Sequence, residues 1–261
     1  MDLLRLNRQA WDRQAADRGP WSTPVSSERI NKARSGRWAI RLTPNKDIPA
    51  DWYPKLRGLR VLCLAGAGGQ QAPILAAAGA RVTVLDNSPG QLDADRSVAQ
   101  REGLEIDLQC GDMADLRRFD NRSFGLIVHP VSNCFVPDPR PVWEECHRVL
   151  EPAGRLLAGF LNPAFFLFDE DADRDRAVLK VANRLPYADI EVLEPEEVER
   201  RVATGDAMTF SHSLEAQIDG QLRAGFLLAG LFEDDWSDEA TTLNRYMPTS
   251  IATLAIKPDN G

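Results

Sequence analysis

Residues 61–71 read VLCLAGAGGQQ, and residues 82–92 read VTVLDNSPGQL. In the first stretch an apolar run ends in a glycine loop and passes into small, helix-forming residues. Glycines at the carboxyl end of a strand let the backbone approach a ligand closely. The helix that follows offers unpaired N–H groups and the positive end of its dipole. The second stretch is another strand, and it ends at Asp86, 20 residues after Gly66. A carboxylate at that distance accepts the two hydroxyls of a ribose. Asp86 also has a plainer reading, as an acid near a helix start in Asp-Asn-Ser-Pro. Loop and spacing together favour the ligand.

Working outward, the same alternation continues. Residues 72–78 form a small-residue helix closed by Gly79, and Ser88-Pro89 opens a second with a hydroxyl cap and proline at its first position. Strands are expected at 104–108, 124–128 and 155–160, with a helix at 139–150 that gathers Val142, Trp143, Cys146, Val149 and Leu150 on one face. Strands separated by helices imply right-handed crossovers and a parallel sheet. A helix at 214–223 leads to strands at 226–232 and 251–256, which have no helix between them and therefore pair antiparallel. The expected fold is α/β: a Rossmann-like, doubly wound sheet of seven strands, mostly parallel with an antiparallel last strand. Residues 1–57 read as an N-terminal helical extension or lid, with helical spacing over 2–18. The domain proper spans 58–261. Residues 162–212, with Phe165, Phe166 and Phe168, the charged stretch 169–176 and a helix near 195–203, read as a cap inserted over the sheet edge.

Composition narrows the function. Among 261 residues there are 31 Lys+Arg and 39 Asp+Glu, and the basic residues are interspersed with acids. A nucleic-acid binder carries a basic face, so a small-molecule partner is expected rather than nucleic acid. No run reaches the roughly 18 apolar residues of a membrane span, and the N-terminus lacks a secretory pattern. The expectation is a cytoplasmic protein with no membrane partner; oligomeric state is not read. Cys63, Cys110, Cys134 and Cys146 form no CxxC pair, and the three histidines are scattered, so reduced thiols and no metal are expected.

Nicotinamide enzymes share this layout, but their fingerprint closes on a small sixth residue. Here that position is Gln71, and its bulk argues against a crossing pyrophosphate.

VLCLAGAGGQQ followed by VTVLDNSPGQL resembles motif I and the acidic loop of class I S-adenosylmethionine (SAM)-dependent methyltransferases, small-molecule enzymes with a type 11 domain. CGDM (110–113), FGLIVHPVSNCF (124–135) and HRVLEPAGRLLAGFLNP (147–163) resemble later motifs of that family. The resemblance covers residues 58–160 and 212–257. It implies SAM as cofactor, released as S-adenosylhomocysteine (SAH). It assigns the cofactor to Ala65, Gly66, Ala67, Gly68, Gln70 and Gln71, to Asp86, Asn87 and Ser88, to Gly111, Asp112 and Met113, and to His129 and Pro130. Two departures stand out. The acid that usually precedes the glycines is absent at Leu64-Ala65, and Gln70 replaces the third glycine.

Methyl transfer from a sulfonium is an in-line displacement with a neutral leaving group. Alignment supplies most of the rate, up to about 7–11 kcal/mol, and a base is needed only for a protonated acceptor. His129 and Asn133 are the catalytic candidates. For His129, orienting the acceptor and ordering the loop are equal readings. His147 reads as structural, and His212 is left open. Trp11, Trp21, Phe165 and Phe166 are candidate acceptor contacts, with plain packing as the alternative. The expected activity is methyl transfer from SAM to a small molecule. The competing functions are a non-catalytic SAM-binding protein and a nicotinamide-dependent oxidoreductase.

Overall fold

The computed structural model describes residues 2–170, 172–173, 178–237 and 239–259. Part of the charged stretch 169–176 lies outside the described residues.

Seven strands form one sheet: β1 (Arg60–Leu64), β2 (Arg81–Asp86), β3 (Ile106–Cys110), β4 (Phe124–His129), β5 (Leu150–Leu161), β6 (Leu227–Asp234) and β7 (Ser250–Ile256). Their spatial order is β3-β2-β1-β4-β5-β7-β6. The first five pair parallel. β7 inserts between β5 and β6 and runs antiparallel to both. β4 is buried at all six positions, as a central strand covered on both faces must be. The winding reverses between β1 and β4, and that switch opens a crevice at the carboxyl ends of the strands.

The helices follow local chemistry. α1 (Leu3–Ala16) and α2 (Ser27–Arg34) precede the sheet, and α3 (Gln71–Ala77) follows β1. In α4 (Pro89–Glu102) the Ser88 hydroxyl accepts from the Gln91 N–H, and Gly103 closes the helix in the left-handed region at φ 63°. That closure draws in the Leu104 N–H, which donates to the Ala99 carbonyl. β3 therefore starts two residues later than expected. α5 (Arg140–Val149) buries Val142, Trp143, Cys146 and Val149 against the sheet. Within the insertion lie α6 (Asp189–Val192) and α7 (Pro195–Thr204). The expected helix at 214–223 is partly π-helical: Glu215–Asp219 is wide, and only α8 (Gly220–Arg223) is regular. The Trp143 indole N–H donates to the Ala216 carbonyl inside the wide turn (3.0 Å), and a Cβ on Gly220 would stand 2.9 Å from that indole.

The N-terminal 57 residues do two different jobs. Ile30, Ala33, Ile40, Leu42, Ile48, Trp52 and Leu56 belong to the core on one face of the sheet, alongside Val61, Leu75 and Val128. Residues 25–56 thus contribute to one layer of the core. α1 stays outside that core, where Leu3 and Leu6 pack against Val198, Val202 and Met208 from the α7 region. The Asn7 side chain stitches the two together: it donates to the carbonyls of Phe135 and Met208 and accepts from the Met208 N–H. The opposite sheet face packs on Trp143, Cys146, Val149 and Phe226.

Candidate functional site

The glycine loop leaves β1 in a contorted path. Ala65 and Ala67 have φ of 48° and 62°, and Gly69 has 72°. Alanine in this region is strained, and such strain gathers where backbone is held for a ligand. α4 lies directly beneath. A Cβ on Gly68 would fall 2.2 Å from the Gln91 backbone oxygen, so only glycine fits. The Gly68 N–H donates to Gln91 Oε1 (2.7 Å) and the Gly69 N–H to Asp95 Oδ1 (2.9 Å). Burial pushes the Asp95 carboxyl up to about 8, with Asp86 adding to the effect and the Gly69 N–H opposing it. An acid whose charge burial disfavours therefore props the loop.

Asp86 ends β2 at the cleft. Its Oδ1 accepts from the Ser88 N–H (2.8 Å). Burial raises its carboxyl to about 6; the Ser88 N–H opposes the shift and nearby Asp12 adds to it. Among the described residues no cation pairs with it. It is an ionised acceptor at neutral pH whose environment disfavours its charge, the condition that a ribose diol relieves.

α1 clamps this loop. Asp12 Oδ1 accepts from the Ser88 hydroxyl (2.6 Å) and the Gly90 N–H (2.9 Å). Arg8 donates to the Asn87 carbonyl and side chain, and Asn87 donates to the Leu4 carbonyl (2.7 Å). The Gln70 amide donates to the carbonyls of Pro20 and Thr23, and the Val25 N–H donates to the Gly69 carbonyl. The departure from a third glycine thus has a structural use: Gln70 fastens the segment that follows α1. Nothing in the sequence links residue 12 to 88, so these clamps went unread, as did the props Gln91 and Asp95.

Crevice and insertion enclose one continuous cavity of about 1360 Å³. Beyond the carboxyl ends of β1 to β4 it is lined by Ala65, Ala67, Gln70 and Gln71, by Asp86 and Asn87, by Gly111, Asp112 and Met113, and by Pro130. Asp112 caps its own turn by accepting from the Ala114 N–H. Trp11, Trp21, Phe165 and Phe166 line the rest, joined by Phe135, Tyr187 and Trp236. Gly66 and Gly68 shape the loop but do not line the cavity, and the Ser88 hydroxyl is spent on Asp12 and the α4 cap.

His129 and Asn133 do not reach the cavity either. Both are fully buried. His129 Nδ1 donates to the Leu64 carbonyl (2.9 Å), and Nε2 meets the Asn133 side chain. Asn133 continues to Gln217, Gln221 bonds the Gln217 carbonyl, and Thr253 bonds Gln221. Burial lowers the His129 pKa, with the Leu64 carbonyl and the Asn133 side chain opposing the shift. Of the two readings of His129, this geometry matches the one that orders the loop: with Asn133 it forms a buried polar chain between β1 and the π-turn, away from the cavity. His212 likewise bonds the Asn133 carbonyl, and His147 packs edge-on against Phe226. Cys63, Cys134 and Cys146 are buried thiols. Among the described residues no cluster could hold a metal, and no helix is long and apolar enough to cross a membrane.

Set beside known proteins, the chain matches the methyltransferase domain family over residues 62–158. It is 47% identical to the uncharacterized methyltransferase YbaJ of Bacillus subtilis (strain 168) over 255 residues, 98% of each chain. It is 32% identical to a ubiquinone biosynthesis O-methyltransferase of Coxiella burnetii (strain Dugway 5J108-111) over 110 residues, 42% of this chain and 47% of that one. An S-adenosylmethionine dependent methyltransferase from Mesorhizobium loti shares the fold, with a TM-score of 0.60 at 19% identity over 79% of this chain and 94% of that one. The chain belongs to the methyltransferases.

Proposed function

We propose that this protein transfers the SAM methyl group to a small molecule held between α1, the 162–212 insertion and the β6–β7 connection. The observation that carries the reading is the size of the cavity together with the residues that line it. Single-ligand sites run to about 300–1,000 Å³, and 1360 Å³ accommodates a cofactor and a second molecule. The lining at the strand ends fits the nucleoside. Asp86 takes the ribose hydroxyls, Asp112 and Met113 flank the adenine, and Ala65, Ala67 and Gln71 border the amino-acid end. SAM supplies an electrophilic methyl on a sulfonium. The chain supplies position and dryness: Trp11 and Phe135 close the cavity edge-to-face at 5.2 Å, and such enclosure excludes water and aligns the reactants. The nicotinamide reading loses ground because Gln91 and Asp95 already hold the two loop amides that a pyrophosphate would use.

Calorimetric titration with SAH and with NADH tests this. Saturable SAH uptake, abolished by Asp86→Ala and unmatched by NADH, is the expected result. NADH binding at comparable affinity would refute it.

A further inference from the structure

The segment 20–25, between α1 and α2, is laced to the glycine loop. The Val25 N–H donates to the Gly69 carbonyl (2.8 Å), and the Gln70 amide donates to the carbonyls of Pro20 (3.0 Å) and Thr23 (3.1 Å). Gly69 is wedged between this segment and α4. A Cβ there would stand 3.0 Å from the Pro24 side chain and 3.2 Å from the Ala94 carbonyl oxygen. Arg101 of α4 donates in turn to the Val25 carbonyl (2.6 Å).

Gln91 joins the two at a buried point. Its Oε1 accepts from the Gly68 N–H (2.7 Å), and its Nε2 donates to the Ser22 hydroxyl oxygen (2.6 Å) and the Trp11 carbonyl (3.5 Å). Gln91 and Ser22 are each 2% exposed. Ser22 lies outside the cavity lining, whereas its neighbours Trp21 and Thr23 line it. One amide therefore links the loop at the strand ends to the backbone that carries Trp21. Trp21 meets Trp236 of the β6–β7 connection at 6.1 Å, and Trp236 meets Phe165 of the insertion at 6.1 Å.

The loop is strained, with Ala65 and Ala67 at φ of 48° and 62°. Such a conformation persists only while its surroundings hold it. A ligand seated on the loop adds to that hold and favours the shape in which Gly68, Gly69 and Gln70 meet Gln91 and the segment 20–25. A loop that relaxes loses the same bonds. Ligand and segment thus stabilise one loop conformation, which is the condition for coupling between two sites.

We propose that Gln91 is a positioning residue for methyl transfer: through Gly68 and Ser22 it makes the seating of the cofactor fix Trp21 on the acceptor side, so the acceptor site is completed after the cofactor binds. This rests on the reading of the strand-end lining as a SAM site.

The test is hydrogen exchange of the whole protein, read by mass spectrometry on peptides covering 20–26, with and without saturating SAH. The Val25 amide, bonded to the loop, is the reporter. In wild type, SAH slows exchange in this segment about tenfold. Ser22→Ala leaves the Gln70 and Val25 bonds in place. It cuts the protection to about threefold or less and, because coupling is reciprocal, weakens SAH binding about three- to tenfold. Gln91→Met does the same, and adding Ser22→Ala to it changes the protection no further. Ser27→Ala, which removes a hydroxyl bonded to Glu102, keeps the full protection. A merely structural Gln91 would speed exchange equally with and without SAH. A wild-type protection ratio in Ser22→Ala therefore overturns the proposal, even if Gln91→Met fails to fold. So does a wild-type segment whose exchange is unmoved by bound SAH. Wild-type protein that takes up no SAH removes the strand-end reading and this proposal together.

Discussion

Replacing Asp86 with asparagine should push stability and cofactor affinity in opposite directions. Asparagine keeps the size of the side chain and one oxygen for the Ser88 N–H. In the unliganded protein the carboxyl is held at about 6 instead of 3.8, chiefly by burial. Ionising it at pH 7.5 therefore costs the fold up to about 3 kcal/mol. Removing the charge returns about 1–3 kcal/mol, which for a chain of this length raises Tm by about 2–10 °C. With cofactor the sign reverses. Two hydrogen bonds to ribose hydroxyls lose their charge assistance, at about 1–1.5 kcal/mol each. SAH affinity should drop about 30- to 150-fold. Scanning calorimetry of the unliganded protein and titration with SAH read both halves. A lower Tm together with SAH affinity within about threefold of wild type would refute the placement of ribose on this carboxylate.

Three further outcomes follow from the same geometry. SAH binding should weaken as pH falls through about 6 and approach about tenfold per pH unit, because a proton competes with the ribose for Asp86; the unliganded fold moves the other way, gaining stability as Asp86 protonates, and a dissociation constant flat from pH 7.5 to 5 contradicts this. Deleting residues 2–18 removes the Asp12 and Arg8 clamps and should cost about tenfold in SAH affinity while unfolding stays cooperative; deletion through residue 57 strips Ile30, Leu42 and Trp52 from the core and should leave no folded protein by circular dichroism. His129→Gln should destabilise the fold by about 1–3 kcal/mol by breaking the chain from Leu64 to Gln217; the pH profile of methyl transfer should keep its shape, and a lost limb would return the ring to catalysis.

The sheet was legible because its strands are short apolar runs bounded by glycine and by a capped helix, signals carried by neighbouring residues. The acidic end of β2 was legible for the same reason. What escaped depends on contacts between distant residues. Helical spacing found α1, but not that Asp12 would cap α4. Residues 1–57 read as an extension or lid, and no local period showed that Ile40 and Leu42 join a core layer. For His129 the sequence left an acceptor-orienting and a loop-ordering role open alike; the burial of both ring nitrogens, a matter of distant contacts, favours the second. Tyr187 and Trp236 joined the cavity without any local pattern, brought there by the fold alone.

The most direct measurement is a crystal structure of the protein with SAH. Ribose hydroxyls are expected within hydrogen-bonding distance of the Asp86 carboxylate, adenine beside Asp112 and Met113, and the sulfur facing the aromatic lining of the cavity. Density for the nucleoside away from the ends of β1 and β2, with Asp86 untouched, would contradict it.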